Sequence, residues 1–143
     1  MVAHSSLITV MEKAARKAAP KLRRDFGEVD ALQVSRKGPA DFVSNADRAA
    51  EDAVVEVLRH ARPDWGLLLE EGGEIKGEDE RCRWIVDPLD GTSNFLHGIP
   101  HFAISIAAEI DGEVTAGLIH QPLTGESYWA EKGRGAWLQT QRL

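Results

Sequence analysis

Asp87 and Asp90 are two carboxylates three residues apart, and they follow directly on the apolar run Trp84-Ile85-Val86. Pro88 stiffens the turn between them and Gly91 opens it, so both side chains can aim their oxygens into one small volume. Two such charges repel unless a cation lies between them. Oxygen donors of this kind suit a hard ion such as Mg²⁺, which keeps waters and often binds together with a substrate phosphate. Asp90-Gly91-Thr92-Ser93 also reads as a helix start whose free N–H groups face an anion. The same residue types are ordinary turn vocabulary, and a bare Asp-x-x-Asp reads as a turn about as readily as a metal site.

Other chemical candidates are weaker on their own. Glu70 and Glu71 close the apolar burst Leu67-Leu68-Leu69 and, taken alone, read as solvated strand-end charges. Ser44 and Asp47 fit a helix-capping pattern, with Asp47 favouring the positive end of its helix. Lys37 and Asp41 read as loop and turn residues. His97 and His101 flank Gly98 and Pro100 and do not make a helical ligand pair, so they read as structural or surface residues. Cys82 lies between Arg81 and Arg83, two cations that would lower its pKa, yet without a partner it reads as a bystander thiol. Gly133-Arg134-Gly135 is a turn.

The elements that must position these residues follow from periodicity. Leu7, Met11, Ala14, Ala15, Ala18, Leu22 and Phe26 recur at helical spacing, which predicts an amphipathic helix over 7–26 with a bend at Pro20 and a stop at Gly27. Val29 to Ser35 reads as a short strand before a Lys37-Gly38-Pro39 loop. A second helix is predicted from near Ser44, on Ala46, Ala50, Ala53, Val54 and Val57, ending at Arg62-Pro63. Leu67–Leu69 and Trp84–Val86 then read as buried strands ending at a polar edge. Phe102, Ile104, Ile106, Ala108 and Ile110 alternate with smaller or polar residues, Asp111-Gly112 offers a hairpin turn into Val114–His120, and further turns precede Ser127–Ala130 and Ala136–Leu138. The predicted class is α+β, two N-terminal helices packed on a mainly antiparallel sheet.

The 143 residues suffice for a single domain with a hydrophobic core, and 43% apolar with 28% charged residues exclude general disorder. A net charge of −6 disfavours nucleic-acid binding by bulk charge. One cysteine forms no internal disulfide, and neither a signal-peptide start nor a membrane-length apolar run is present in this sequence, so a cytoplasmic protein with no membrane partner is the expectation.

Asp87–Phe95 fits the signature D-P-[IL]-D-G-T-x-N-[FY] of the inositol monophosphatase family, lithium-sensitive Mg²⁺-dependent phosphatases, which the chain resembles. Lys37–Asp47 resembles that family's upstream K-x-x-x-D-x-V-T-x-x-D segment and Leu69-Glu70-Glu71 its G-E-E element, with Leu69 in place of the usual Gly and Gly72-Gly73 in place of a commoner Ser. The resemblance implies Glu70, Asp87 and the Leu89 carbonyl as ligands of an activating Mg²⁺, with Asp87 and Asp90 reaching toward a second ion. It implies an Asp47–Thr92 pair that helps activate water, backbone N–H groups of Gly91 and Thr92 that hold phosphate beside Asp90, and a minor contribution from Lys37. The reaction implied is in-line attack of water on a small phosphate monoester, myo-inositol 1-phosphate first. Fructose 1,6-bisphosphate or adenosine 3′,5′-bisphosphate are alternative substrates, and a non-catalytic metal-binding or assembly module is the alternative of a different class.

Members of that family usually run to nearly twice this length. Their C-terminal half supplies a W-[DE]-x-A-A-G-type segment whose Asp completes the second metal site, and no such segment occurs in this sequence. The expectation is therefore that residues 1–143 form the N-terminal part of the fold, hold a partial Mg²⁺ site and show little or no turnover alone. An exposed sheet edge would favour self-association or a homodimer.

Overall fold

A computed structural model describes residues 4–32 and 38–143. Two long helices come first, α1 (Ser6–Leu32) and α2 (Pro39–Ala61). Next are strands β1 (Trp65–Leu69), β2 (Gly73–Ile75) and β3 (Asp79–Asp90), a short helix α3 (Thr92–Leu96), and the meander β4 (Ala103–Ile110), β5 (Glu113–His120), β6 (Ser127–Glu131), β7 (Gly135–Leu138) and β8 (Gln141–Arg142).

All strands join one eight-stranded sheet in the order β2-β1-β3-β4-β5-β6-β7-β8. Only β1 and β3 run parallel; the other neighbours are antiparallel, which is the mainly antiparallel α+β arrangement predicted. The strand alternation sends Ile104, Ile106 and Ala108 of β4, Leu118 of β5, Trp129 of β6 and Trp84 and Val86 of β3 inward, where all are buried. On α1 the stripe Ile8, Met11, Ala14, Ala15, Ala18 and Leu22 is buried, and α1 packs along α2 and onto β5. No helix among the described residues is long and apolar enough to cross a membrane.

Both helices begin or end away from their expected limits. α1 passes through Pro20 and Gly27 and includes Val29, so the expected stop at Gly27 and the strand from Val29 are not found. Val29 is fully buried in continuation of the Leu22 stripe, and that burial outweighs the roughly 1 kcal/mol that an interior glycine costs a helix. Residues 33–37 of the expected strand and loop, Lys37 included, lie outside the described residues. α2 starts at Pro39, behind Gly38, rather than near Ser44. Proline fits a first helical turn because its missing N–H would have no helical partner there, and Asp41 adds favourable charge to that turn. Ser44 and Asp47 therefore lie inside α2, and Asp47 does not cap it. The sequence reading omitted β2 and β8, which have three and two residues and are too short for a period to show.

Candidate functional site

The parallel pairing of β1 and β3 sets Leu69 opposite Val86, so Glu70, the residue after β1, comes beside Asp87 of β3, which itself continues to Asp90 along β4. Such strand ends, where two chains diverge, leave a natural crevice for ligands. α2 packs against β3 and brings Asp47 over this end, only 4% exposed, with its Oδ1 lacking any hydrogen-bond partner. The structure thus gathers Asp47, Glu70 and Asp87 from three separate elements.

Their mutual influence is strong. Burial first, then the charges of Glu71 and Asp87, a hydrogen bond with Glu71 and the charge of Glu51 push Asp47 up from 3.8 to about 7. Glu70 is raised from 4.5 to about 7, chiefly by a hydrogen bond with Asp87, then by desolvation and the charges of Asp87, Asp47 and Glu71. Like charges held this close favour keeping a proton on one of the pair. A divalent cation supplies the same service without the proton. Hard oxygen donors, mutual repulsion and an unpartnered buried Asp47 oxygen together fit such an ion. Among the described residues no three His, Cys, Asp or Glu side chains already converge as a ligand set.

Because the folded chain holds protons on Asp47 and Glu70 more tightly than an unfolded chain, these groups favour the fold below about pH 4, and that contribution fades as pH rises through about 7. His120 acts oppositely at the acid end, since burial lowers its pKa and its protonation favours unfolding. The metal-free chain should therefore lose thermal stability from pH 6 to 8, and added Mg²⁺ should raise Tm more at pH 8 than at pH 6. Thermal melts with EDTA and with Mg²⁺ across this range measure it; a Mg²⁺ effect that shrinks with pH would contradict it.

The remaining candidates sit on the β3–α3 turn. Asp87 Oδ1 accepts the Leu89 N–H at 3.3 Å, and the Leu89 carbonyl accepts the Thr92 hydroxyl at 3.0 Å. The single hydroxyl proton of Thr92 is thus given to Leu89 and not to Asp47, while the Leu89 oxygen keeps a second lone pair. A register shift between Asp87 and Asp90 leaves Asp90 exposed at the strand end. From Asp90 and Gly91 a groove of about 680 Å³ runs past Asn94 and His101 to Gln121 and Tyr128.

Aromatic packing fixes this turn from below. Phe95 of α3 is fully buried against Phe102 and Phe26, with ring centres 4.9 and 5.5 Å away, and Asn94 Nδ2 donates to the His101 carbonyl at 2.8 Å. Gly91 has φ 95°, and a Cβ there would stand 3.0 Å from the His101 carbonyl oxygen and 3.2 Å from Phe102 Cα. Gly91→Ala should therefore cost about 2–3 kcal/mol, from positive φ and backbone crowding together, which chemical denaturation checks. A loss below about 0.5 kcal/mol would show that the turn yields.

Other candidates stand apart from the cluster. His97 is exposed, with Nδ1 at 2.8 Å from the Ser93 carbonyl; His101 is likewise exposed. The Cys82 thiol is raised rather than lowered, by burial and by Asp79, which outweigh Arg81. Asp41 is exposed in the first turn of α2. Glu51 escaped the sequence reading, and Glu71, read as a solvated strand-end charge, is exposed as expected. Glu51 is 6% exposed, and its Oε2 accepts the Glu71 N–H at 3.1 Å. Its signal was a carboxylate four residues after Asp47, within the apolar stripe Val43, Ala46, Ala50 and Val54, where charge is rare.

Comparison with known proteins adds the following. The profile of the Inositol monophosphatase family matches residues 3–143. The chain is 59% identical over 142 residues to the inositol-1-monophosphatase of Rhizobium meliloti (strain 1021), covering 99% of this chain and 53% of that protein. It is 39% identical over 137 residues to the Nus factor SuhB of Escherichia coli (strain K12), covering 96% and 51% respectively. The crystal structure of extragenic suppressor protein suhB from Bartonella henselae matches with a TM-score of 0.86 at 55% identity, over 96% of this chain and 54% of that one. The chain spans about half the length of the curated relatives it matches.

Proposed function

Since the chain belongs to the inositol monophosphatase family, we propose that it supplies the metal- and phosphate-holding residues of a Mg²⁺-dependent, lithium-sensitive phosphatase of small phosphate monoesters, inositol monophosphate first. The observation that carries this reading is the meeting of Asp47, Glu70 and Asp87 from three elements, with Asp47 and Glu70 held near neutral pKa. Glu70, Asp87 and the Leu89 carbonyl would hold the activating ion, and Asp90 would help to hold a second. When bound, Mg²⁺ lowers the pKa of water and offsets charge on phosphate oxygens.

The chain's own residues do the rest. Gly91 and Thr92 present backbone N–H groups to the phosphate at the mouth of the groove that starts at Asp90. Asp47, near neutral pKa, accepts a proton as water attacks phosphorus in line with the departing alcohol. For Thr92 to join Asp47, its hydroxyl must rotate from the Leu89 carbonyl, so the Asp47–Thr92 pair forms only with ligand present. The single thiol, Cys82, is consistent with a reducing cytoplasm. Exposed Ile119 and Tyr128, paired across β5 and β6, favour self-association through the open sheet face.

Turnover by the 143 residues alone is expected to be weak, because Glu70 and Asp90 are exposed to solvent, which screens the charges they would bring to an ion. Phosphate release from inositol 1-phosphate with and without Mg²⁺, for wild type and Asp90→Asn, tests the reading, with fructose 1,6-bisphosphate and adenosine 3′,5′-bisphosphate in parallel. Little release with divalent-ion binding is the expected result. Mg²⁺-dependent release that Li⁺ inhibits and Asp90→Asn removes would show that this cluster suffices. Absence of both release and ion binding would leave an assembly module.

A further inference from the structure

Glu51 is a buried carboxylate that no ligand set in the proposed site requires. Isolated charges seldom stay buried without a partner that depends on them. Among the described residues no ion pair involves Glu51. Both of its oxygens instead face the β1–β2 turn. Oε2 accepts the Glu71 N–H at 3.1 Å, and Oε1 lies 3.2 Å from the place a Cβ on Gly72 would occupy. Glu70, Glu71, Gly72 and Gly73 are all exposed and two of the four carry no side chain, so the Glu51 bond adds a tie to α2 beyond the β1–β2 pairing that closes the turn. Hydrogen bonds from a carboxylate to backbone N–H groups are among the stronger ones, and this one spans 20 residues of sequence.

We propose that Glu51 is a positioning residue: by holding the Glu71 N–H it fastens the β1–β2 turn to α2, and so sets Glu70 against Asp87. The inference rests on the proposed metal-holding role of Glu70 and assigns no ligand or proton transfer to Glu51 itself. Its requirement is an acceptor oxygen at full reach, not a charge. Partners one step behind a metal ligand typically change metal affinity by 10–100-fold when lost.

Two substitutions separate reach from charge. Glu51→Gln keeps an acceptor oxygen at the same distance, whereas Glu51→Asp keeps the charge and falls one methylene short. Mn²⁺ affinity by electron paramagnetic resonance and hydrogen exchange of the Glu71 amide in the metal-free chain are read for wild type and both variants, with circular dichroism confirming the fold. Glu51→Gln should bind Mn²⁺ within about threefold of wild type with the Glu71 amide protected; Glu51→Asp should lose tenfold or more, with that amide exchanging freely. Wild-type behaviour in both variants, or loss in Glu51→Gln with retention in Glu51→Asp, would overturn the proposal. If wild type itself binds no Mn²⁺, the metal-holding reading fails, and with it the role toward Glu70. The amide exchange then still reports whether Glu51 fastens the turn.

Discussion

Asp87→Asn should weaken Mn²⁺ binding by about 100-fold or more and leave phosphate release at background. Asp87 is the common neighbour: its hydrogen bond is the largest influence on Glu70, and its charge is among the influences on Asp47. Removing that charge leaves Glu70 without its most strongly coupled neighbour in the donor set. The amide retains an oxygen for the Leu89 N–H, so the β3–α3 turn keeps its shape and the effect is on binding rather than folding. Glu70 should then titrate closer to the ordinary 4.5. Paramagnetic resonance of free Mn²⁺, with a thermal melt as the control, measures the outcome. Affinity within about threefold of wild type would place the ion elsewhere.

Asp47→Asn should move stability and activity in opposite directions. At pH 8 the wild-type carboxylate is ionised while buried, beside Glu71, Asp87 and Glu51, and one oxygen has no donor to satisfy it. Replacing it with a neutral amide should stabilise the metal-free chain by about 2 kcal/mol, or roughly 5–10 °C in Tm. At pH 5 the wild-type group is already protonated, and the difference should shrink to within about 0.5 kcal/mol. Any turnover should fall by about 10²-fold or more, the usual size of a lost acid–base group. Denaturation at the two pH values settles the stability arm. A variant that is less stable at pH 8 would mean that Asp47 is structural, with its charge compensated in the fold. This is the expected signature of a site whose like charges are tolerated for function at the expense of stability.

The site was legible in the sequence where it is local. Asp87, Asp90 and Gly91 lie on one turn, and Pro88 and the preceding apolar strand announced it. Glu70 was not legible from spacing, because its meeting with Asp87 depends on a parallel pairing of β1 with β3 that two short apolar bursts do not specify. Resemblance to a family supplied it. Glu51 was missed for the same reason, since its bond to the Glu71 N–H joins a helix to a turn 20 residues on. In the fold, the meander from Ala103 to Leu138 followed its alternation and its glycine turns closely. The helix limits did not, because Val29 is held by tertiary burial beyond a glycine, and Pro39 begins a helix that the Ser44–Asp47 pattern seemed to start.

A divalent cation entering the Asp47, Glu70 and Asp87 cluster should displace the protons held there. Calorimetric titration of Mn²⁺ at pH 6.5, in two buffers of different ionisation enthalpy, counts those protons directly. Binding should release about one proton or more per ion, because Asp47 and Glu70 are both raised to about 7 and both must ionise as the ion enters. Binding with no proton release, or no binding, would contradict it.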